Sequence, residues 1–319
     1  MMEKIIDPIS KNLLRAELTT DKLLRKTNKA NNELYIITHH NAPNTMLEIG
    51  RLREEAYRFS GGGTGQNIDM DIYDTMENCY KQLIVWNPEK EEIMGGYRYI
   101  YGKDVTLDAH GDPVISSSHL FSYSKPFIED YLPYTIELGR SFVTVGYQSS
   151  VAGSKALFAM DNLWDGLGAL IVLYPDVKYF FGKVTMYPEF GEEGRNMILY
   201  FLNKQFPDPD RLIYPRNPLK THMDLPTLSK LFVGGSFKEN YKILNSHVRK
   251  LSRNIPPLVN AYMTLSPTMR VFGTCINDEL SNVEETGIMI NIGEIFEEKR
   301  SRHIATYIDQ LKVKGVRFD

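Results

Sequence analysis

The sequence predicts a mixed fold, α/β or α+β. Two observations carry this: an antiparallel hairpin in the N-terminal half and a later strand–helix–strand succession. Gln82 to Trp86 and Ile93 to Tyr101 read as the two hairpin strands, with the turn chemistry of Asn87-Pro88-Glu89-Lys90 between them. Tyr134 to Val145 reads as a strand. Met160, Leu163, Trp164, Leu167, Leu170 and Ile171 then repeat at helical spacing, and Lys178 to Met186 returns as a strand.

The remaining elements follow in order. Residues 1–32 are polar and lean basic, and Leu13, Leu14, Leu18, Leu23 and Leu24 would give a helix there an apolar side. Such a leader packs on the body or docks weakly on an acidic partner or anionic membrane, and packing is the preferred reading. Leu34 to Thr38 is a short strand. Thr45-Met46-Leu47-Glu48 has capping-box spacing, with Ile49, Leu52, Ala56 and Phe59 following at helical intervals. Gly61-Gly62-Gly63 should stop that helix, because glycine takes the left-handed conformation of helix ends readily.

Gly194 to Gln205 is helical. Pro207, Pro209, Pro215, Pro218 and Pro226 then place five of sixteen prolines within twenty residues, so the chain over 203–255 reads as a loop-rich insertion. Leu228 to Leu251 reads as helix, and Leu258 to Ile276 and Gly287 to Ile292 as strands. The division expected is a leader (1–32), one domain (33–295) and a charged C-terminal helix (296–319).

Composition narrows the function. Of 319 residues 42% are hydrophobic and 24% charged, and 37 basic against 40 acidic residues leave a net charge of −3. A nucleic-acid binder would carry a basic surplus or stripe. Cys79 and Cys275 form neither a disulfide framework nor a metal-ligand pair, which suits a reducing compartment. His39-His40, taken as neighbours on a strand, would face opposite ways and share no ligand. The first ten residues lack the apolar core of a secretory signal, and the longest apolar run, Ala169 to Tyr174, is too short to cross a bilayer. A cytoplasmic protein is expected, touching a membrane only from its surface.

Six ionisable residues call for an account. Arg53 lies on the first long helix, Asp71 and Asp74 follow the glycines, Arg98 sits in the hairpin, and Glu137 and Arg140 share a strand. Three cations and three carboxylates balance, so the set suits a desolvated cleft. Taken singly, each has a bland explanation as a turn or a solvated face. Glu137 and Arg140 would point to opposite faces of a regular strand. A bulge at Gly139 would bring them together, break the ladder and open a slot for an extended ligand.

The order of these motifs resembles a known family. Leu52-Arg53-Glu54-Glu55-Ala56-Tyr57-Arg58, Asp71-Ile72-Tyr73-Asp74, Gly96-Tyr97-Arg98 and Glu137-Leu138-Gly139-Arg140-Ser141-Phe142-Val143 are similar to acyl-homoserine-lactone synthases. They are more similar still to the N-acyltransferases that begin ornithine-lipid and glycine-lipid synthesis, often labelled hemolysin-like. Leu163 to Gly168, Tyr179 to Val184, and Pro256 to Tyr262 followed by Gly273 and Asp278 resemble that second group. The resemblance implies a GNAT-like fold, an acyl carrier protein bearing the acyl donor, and a small amino-acid acceptor. It also implies that Arg53, Asp71, Asp74, Arg98, Glu137 and Arg140 form the charged active-site network. Gln148 to Gly153 is a degenerate version of the usual acetyl-CoA pyrophosphate loop, which favours a carrier-protein donor over free acyl-CoA.

Aminolysis of a thioester then assigns roles. Glu137 is the general base, a backbone N–H of Phe142 or Val143 stabilises the oxyanion, and Arg98 and Arg140 hold the donor phosphate or acceptor carboxylate. Asp71 and Asp74 fix the arginines, with Arg53 in the same binding set. No metal is needed. The rival readings are an acetyl-CoA-dependent acetyltransferase and a non-enzymatic, membrane-active protein.

Overall fold

In the computed structural model, which describes residues 2–148, 151 and 156–313, the apolar segments pair as antiparallel strands. In chain order these are β1 (Leu23–Lys26), β2 (Glu33–Ile37), β3 (Lys81–Asn87), β4 (Glu92–Tyr101) and β5 (Phe121–Tyr123). They continue as β6 (Thr135–Val143), β7 (Tyr179–Met186), β8 (Ile213–Pro215), β9 (Arg270–Asn277) and β10 (Val283–Asn291). Helices are interspersed throughout, and the fold is mixed α/β as the sequence predicts. Two compact units divide it: one draws on residues up to 105, 134–178 and 296 onward, the other on 106–133 and 179–295.

The first unit carries the strand order β1-β2-β3-β4-β6, with every neighbour antiparallel. The β3–β4 hairpin closes on Asn87, whose side-chain oxygen accepts the Glu89 and Lys90 N–H groups at 3.0 and 3.1 Å. The Pro43–Phe59 helix covers one face of these strands. Met46, Ile49, Leu52 and Ala56, three and four apart, pack with Tyr35, Ile37, Ile84, Trp86, Ile93 and Phe142. The Ala156–Leu173 helix approaches from the other face. A β-carbon on Gly166 would lie 2.6 Å from Leu83 Cδ2 and 2.8 Å from the Tyr97 hydroxyl, so the close approach requires glycine.

Two expectations for the N-terminal part change. The leader is no single amphipathic helix: Lys11–Glu17 is helical, and Leu23–Lys26 is the edge strand β1. Leu14 and Leu18 are buried in the same core, so the apolar side is already covered. Thr45 does not cap the long helix, which starts at Pro43. Its orphan Asn44 and Thr45 N–H groups donate instead to the Glu17 carboxylate at 2.9 and 2.7 Å. Burial opposes ionisation of Glu17, but these bonds outweigh it and hold the carboxyl below its ordinary range. The glycine stop is as expected, with Gly61 and Gly63 at φ +89° and +103°. Glu54 ties that loop back by accepting the Thr64 and Gly65 N–H groups at 2.9 and 2.8 Å.

A polar clamp joins distant parts of this unit. Asp165 accepts the Asn28 N–H at 2.8 Å and lies 2.8 Å from His303 Nδ1. Arg25, 1% exposed, donates to Asn28 Oδ1 at 2.6 Å and faces the Tyr307 ring at 4.8 Å.

In the second unit β7, β10 and β9 pair antiparallel in that order, and β5 pairs with β8. Leu228 to Leu251 is not one helix. Leu225–Leu231 and Phe237–Lys250 are separated by Gly234-Gly235, and the second starts on a Ser236/Glu239 capping box. Leu258 to Ile276 is not one strand either. Pro257 opens a helix to Met263, where its missing N–H costs nothing, and β9 begins only at Arg270.

Candidate active site

The helix face of the first unit ends in charge. Register places Gln82 opposite Arg98, Arg98 opposite Gly139, and Ile100 opposite Glu137. Because alternate residues share a face, Gln82, Arg98 and Glu137 all lie on the side covered by the Pro43–Phe59 helix. Arg53 of that helix meets them, 0% exposed, with Nη1 3.1 Å from Asp74 Oδ2 and Nη2 donating to Gln82 Oε1. Gln82 in turn donates to Asp74 Oδ1 at 2.9 Å.

Asp71 and Asp74 are held by their own backbone. They cap the short Ile72–Thr75 helix reciprocally: Asp71 Oδ1 accepts the Tyr73 N–H at 2.9 Å, and Asp74 Oδ2 accepts the Asp71 N–H at 3.3 Å. Thus fixed, both receive Arg98 Nη1, at 2.7 Å to Asp71 Oδ1 and 3.1 Å to Asp74 Oδ2. Burial opposes ionisation at every one of these groups. Arg53 and Arg98 nevertheless hold the Asp74 carboxyl far below the carboxylate range. Arg98 lowers Asp71 in the same sense, while Asp74 and Asp71 raise Arg98 well above the usual guanidinium value.

The predicted bulge is present, one residue later than expected. Pairing runs in register through Gly139, then resumes at Gly96↔Phe142, so β6 spends two residues, Arg140 and Ser141, against Tyr97 alone. Arg140 is the displaced residue, in left-handed backbone at φ +49°. The Tyr57 hydroxyl, from the long helix, donates to the Ser141 carbonyl at 3.1 Å. The extra residue puts Phe142 on the same face as Glu137 and directs Arg140 to the carboxylates. Arg140 Nη2 lies 3.5 Å from Asp69 Oδ1 and 3.6 Å from Asp71 Oδ2.

Asp69 and Arg140 weigh their contact differently. Burial of Asp69 pushes its carboxyl up despite the neighbouring arginine, whereas Arg140 is raised by Asp69 against its own burial. The distance favours the first view: 3.5 Å is long for an ion pair, and Asp69 Oδ2 is buried with no hydrogen-bond partner.

The slot expected beside the bulge does not lie between β4 and β6, since their pairing resumes through Gly95↔Val143. Phe142 is 4% exposed within the hydrophobic core, and its carbonyl faces Gly95. Thr144 donates its N–H to Met94 at 3.0 Å, so by strand alternation the Val143 N–H points away from β4. Val143, not Phe142, thus turns its N–H to the side of β6 away from β4.

Sequence reasoning passed over four residues. Tyr80, fully buried, donates its hydroxyl to Glu137 Oε2 and sets its ring 5.0 Å from the Arg98 guanidinium. Tyr73 faces the same guanidinium at 5.8 Å. Gln82 and Asp69 complete the cluster. Solvent reaches it unevenly: the side chains of Arg53 and Asp74 are 0% exposed and Arg98 3%, against 28% for Asp71 and 15% for Arg140. Asp71 and Arg140 form the accessible edge, and the others stand behind them.

Other candidates recede. His39 and His40 lie in the turn after β2 rather than on it, and His40 Nε2 is 3.0 Å from the Met76 carbonyl. Burial pushes the thiols of Cys79 and Cys275 up, the latter to about 12, which suits packed groups and not nucleophiles. Among the described residues no three His, Cys, Asp or Glu side chains cluster as metal ligands. Of Gln148 to Gly153, Ser149, Ser150, Ala152 and Gly153 lie outside the described residues.

Residues 52–156, which span Arg53 through Val143, match the family described as Acetyltransferase (GNAT) domain. With this fold and this bulged strand the chain is an enzyme of the acyltransferase class. It is 63% identical over 309 residues to a glycine N(alpha)-acyltransferase of Phocaeicola vulgatus, covering 97% of this chain and 95% of the relative. It is 64% identical over 308 residues to one of Bacteroides thetaiotaomicron, covering 97% and 91%. The chain belongs to the glycine N(alpha)-acyltransferase family. Two solved structures are more distant neighbours, both 11% identical. One is an N-acyl amino acid synthase from uncultured soil microbes (TM-score 0.36, 87% of this chain and 98% of that one). The other is a CoA-dependent acyl-homoserine lactone synthase solved with SAM and isopentyl-CoA (TM-score 0.35, 88% and 90%).

Proposed function

We propose that this protein transfers a fatty acyl group, 3-hydroxylated or plain, from acyl carrier protein to the α-amino group of glycine, opening an amino-acid-lipid pathway. The observation that carries this reading is the near-full-length likeness to two glycine N(alpha)-acyltransferases. The amine nitrogen attacks the thioester carbonyl, the N–C bond forms, the C–S bond breaks, and the departing thiolate takes up a proton. Glu137 accepts the amine's proton, directly or through a water, and Tyr80 holds its carboxylate in place. The Val143 N–H, turned away from β4, serves as the oxyanion donor.

Glycine is a zwitterion before it reacts, and the accessible edge has one group for each of its ends. Arg140 takes the carboxylate, and Asp71 takes the ammonium until its proton leaves. Arg53, Asp74, Gln82 and Arg98, sealed from solvent, set the position of that edge. Purified protein should be given glycine with long-chain acyl carrier protein, long-chain acyl-CoA and acetyl-CoA in separate reactions, and products read by mass spectrometry. N-acylglycine formed fastest from the carrier-protein donor is the expected result. N-acetylglycine alone, or acylation of ornithine in preference to glycine, would overturn the proposal.

A further inference from the structure

The Phe237–Lys250 helix of the second unit is one-sided in charge. Asn240, Leu244 and Val248 are buried along one stripe. At 100° per residue Lys238, Lys242, Asn245, Ser246, Arg249 and Lys250 fall on the opposite arc. All but the half-buried Asn245 are exposed, and a shallow depression runs between Lys242, Asn245, Ser246, Arg249 and Lys250. Among the described residues none of the four cations has a carboxylate within ion-pair distance, although the chain carries more acidic than basic residues. The helix's one carboxylate, Glu239, is turned to its N-terminus and accepts the Ser236 N–H at 3.1 Å.

We propose that this face docks the protein on an anionic lipid bilayer. Charge complementarity selects a negative partner, and the composition of the face selects a membrane over a protein. Protein interfaces are depleted in lysine and rely on buried aromatic or aliphatic anchors. Besides Glu239, whose carboxylate is engaged at the helix N-terminus, this arc holds only Lys, Arg, Asn and Ser, with no anchor among them. A fluid layer of phosphate headgroups needs none, because lipids rearrange around each cation, and Asn and Ser add hydrogen bonds to phosphate oxygen. Contact is thus peripheral and electrostatic, consistent with the described residues containing no helix long and apolar enough to span a membrane. It brings an enzyme of acyl transfer to the phase where acylated products collect, whichever thioester supplies the acyl group.

The test is cosedimentation with phosphatidylcholine vesicles, with and without phosphatidylglycerol. The full-length protein should bind only the phosphatidylglycerol vesicles and be released by salt. The K242Q/R249Q/K250Q variant should lose about a hundredfold in partition, roughly fivefold per cation. Its far-ultraviolet circular dichroism and melting should match the parent, since none of the three side chains is buried. Equal binding by parent and variant would overturn the proposal. So would no vesicle binding by the parent, or loss in the variant of binding to acidic acyl carrier protein while vesicle binding persists.

Discussion

Replacing Asp74 with Asn removes one charge from the centre of the buried network and nothing from its shape. In the native site Asp74 Oδ2 receives Arg53, Arg98 and the Asp71 N–H, and Oδ1 receives Gln82. An amide in that place must aim its NH2 either at two guanidinium groups or at the Gln82 amide, so a donor meets a donor in both orientations. Arg53, at 0% exposure, then loses its carboxylate partner and keeps the neutral Gln82 Oε1. Stranding one partner of a buried pair costs about 3–5 kcal/mol, a large part of the roughly 5–15 kcal/mol that holds a domain folded. Urea unfolding followed by tryptophan fluorescence is well suited, because the chain's two tryptophans, Trp86 and Trp164, both belong to the unit that houses the network. The double variant R53M/D74N should lose less than the two single losses added, since the second change removes a charge the first has already stranded. A D74N loss below about 1 kcal/mol, or additive losses, would refute the claim that these charges stabilise one another.

Four further outcomes are expected. E137Q should lower the turnover number about 10²–10⁴-fold without a matching change in melting temperature, as loss of a general base requires. Y80F should leave the base in place but take away its hydroxyl donor. The turnover number should fall with KM little changed, and an unchanged turnover number would exclude Tyr80 as the residue that positions Glu137. E17A should destabilise the protein by about 1–2 kcal/mol in urea unfolding, because the long helix then starts with two unsatisfied N–H groups. Glu17, Glu54, Asp71 and Asp74 all ionise more readily folded than unfolded. Their contribution is therefore complete above the ordinary carboxylate values near ~4 and lost as pH falls below them, and circular dichroism against pH should show stability dropping in that window.

What could be read in the sequence were residues whose chemistry clashes with their surroundings. Arg98 and Arg140 stand out in apolar strands, and the carboxylates that answer them fall in recognisable turns, so all six ions could be gathered before any contact was known. Tyr80 and Gln82 could not, because a tyrosine or glutamine near a strand is unremarkable. Placing Gln82 against Arg98 needs the exact hairpin register, and a bulge between Val85 and Trp86 shifts it by one. Arg140 illustrates the same limit. Glycine is the residue best suited to a bulge, yet the left-handed position falls on its neighbour, an arginine whose guanidinium is turned toward Asp69 and Asp71. The helix cap from Glu17 was hidden for a simpler reason. A local motif was available at Thr45, and the carboxylate that does the capping comes from another element altogether.

The Asn28–Asp165–His303 clamp also bears on how the molecule is made. Its three members lie on the three chain segments that build the first unit, so that unit stays unfinished until the residues around His303 have left the ribosome. Residues 106–133 and 179–295 are by then already available to form the second unit. The half bearing the ion network is thus the last to close, and for most of synthesis its charged strands wait without the segment that locks Asp165.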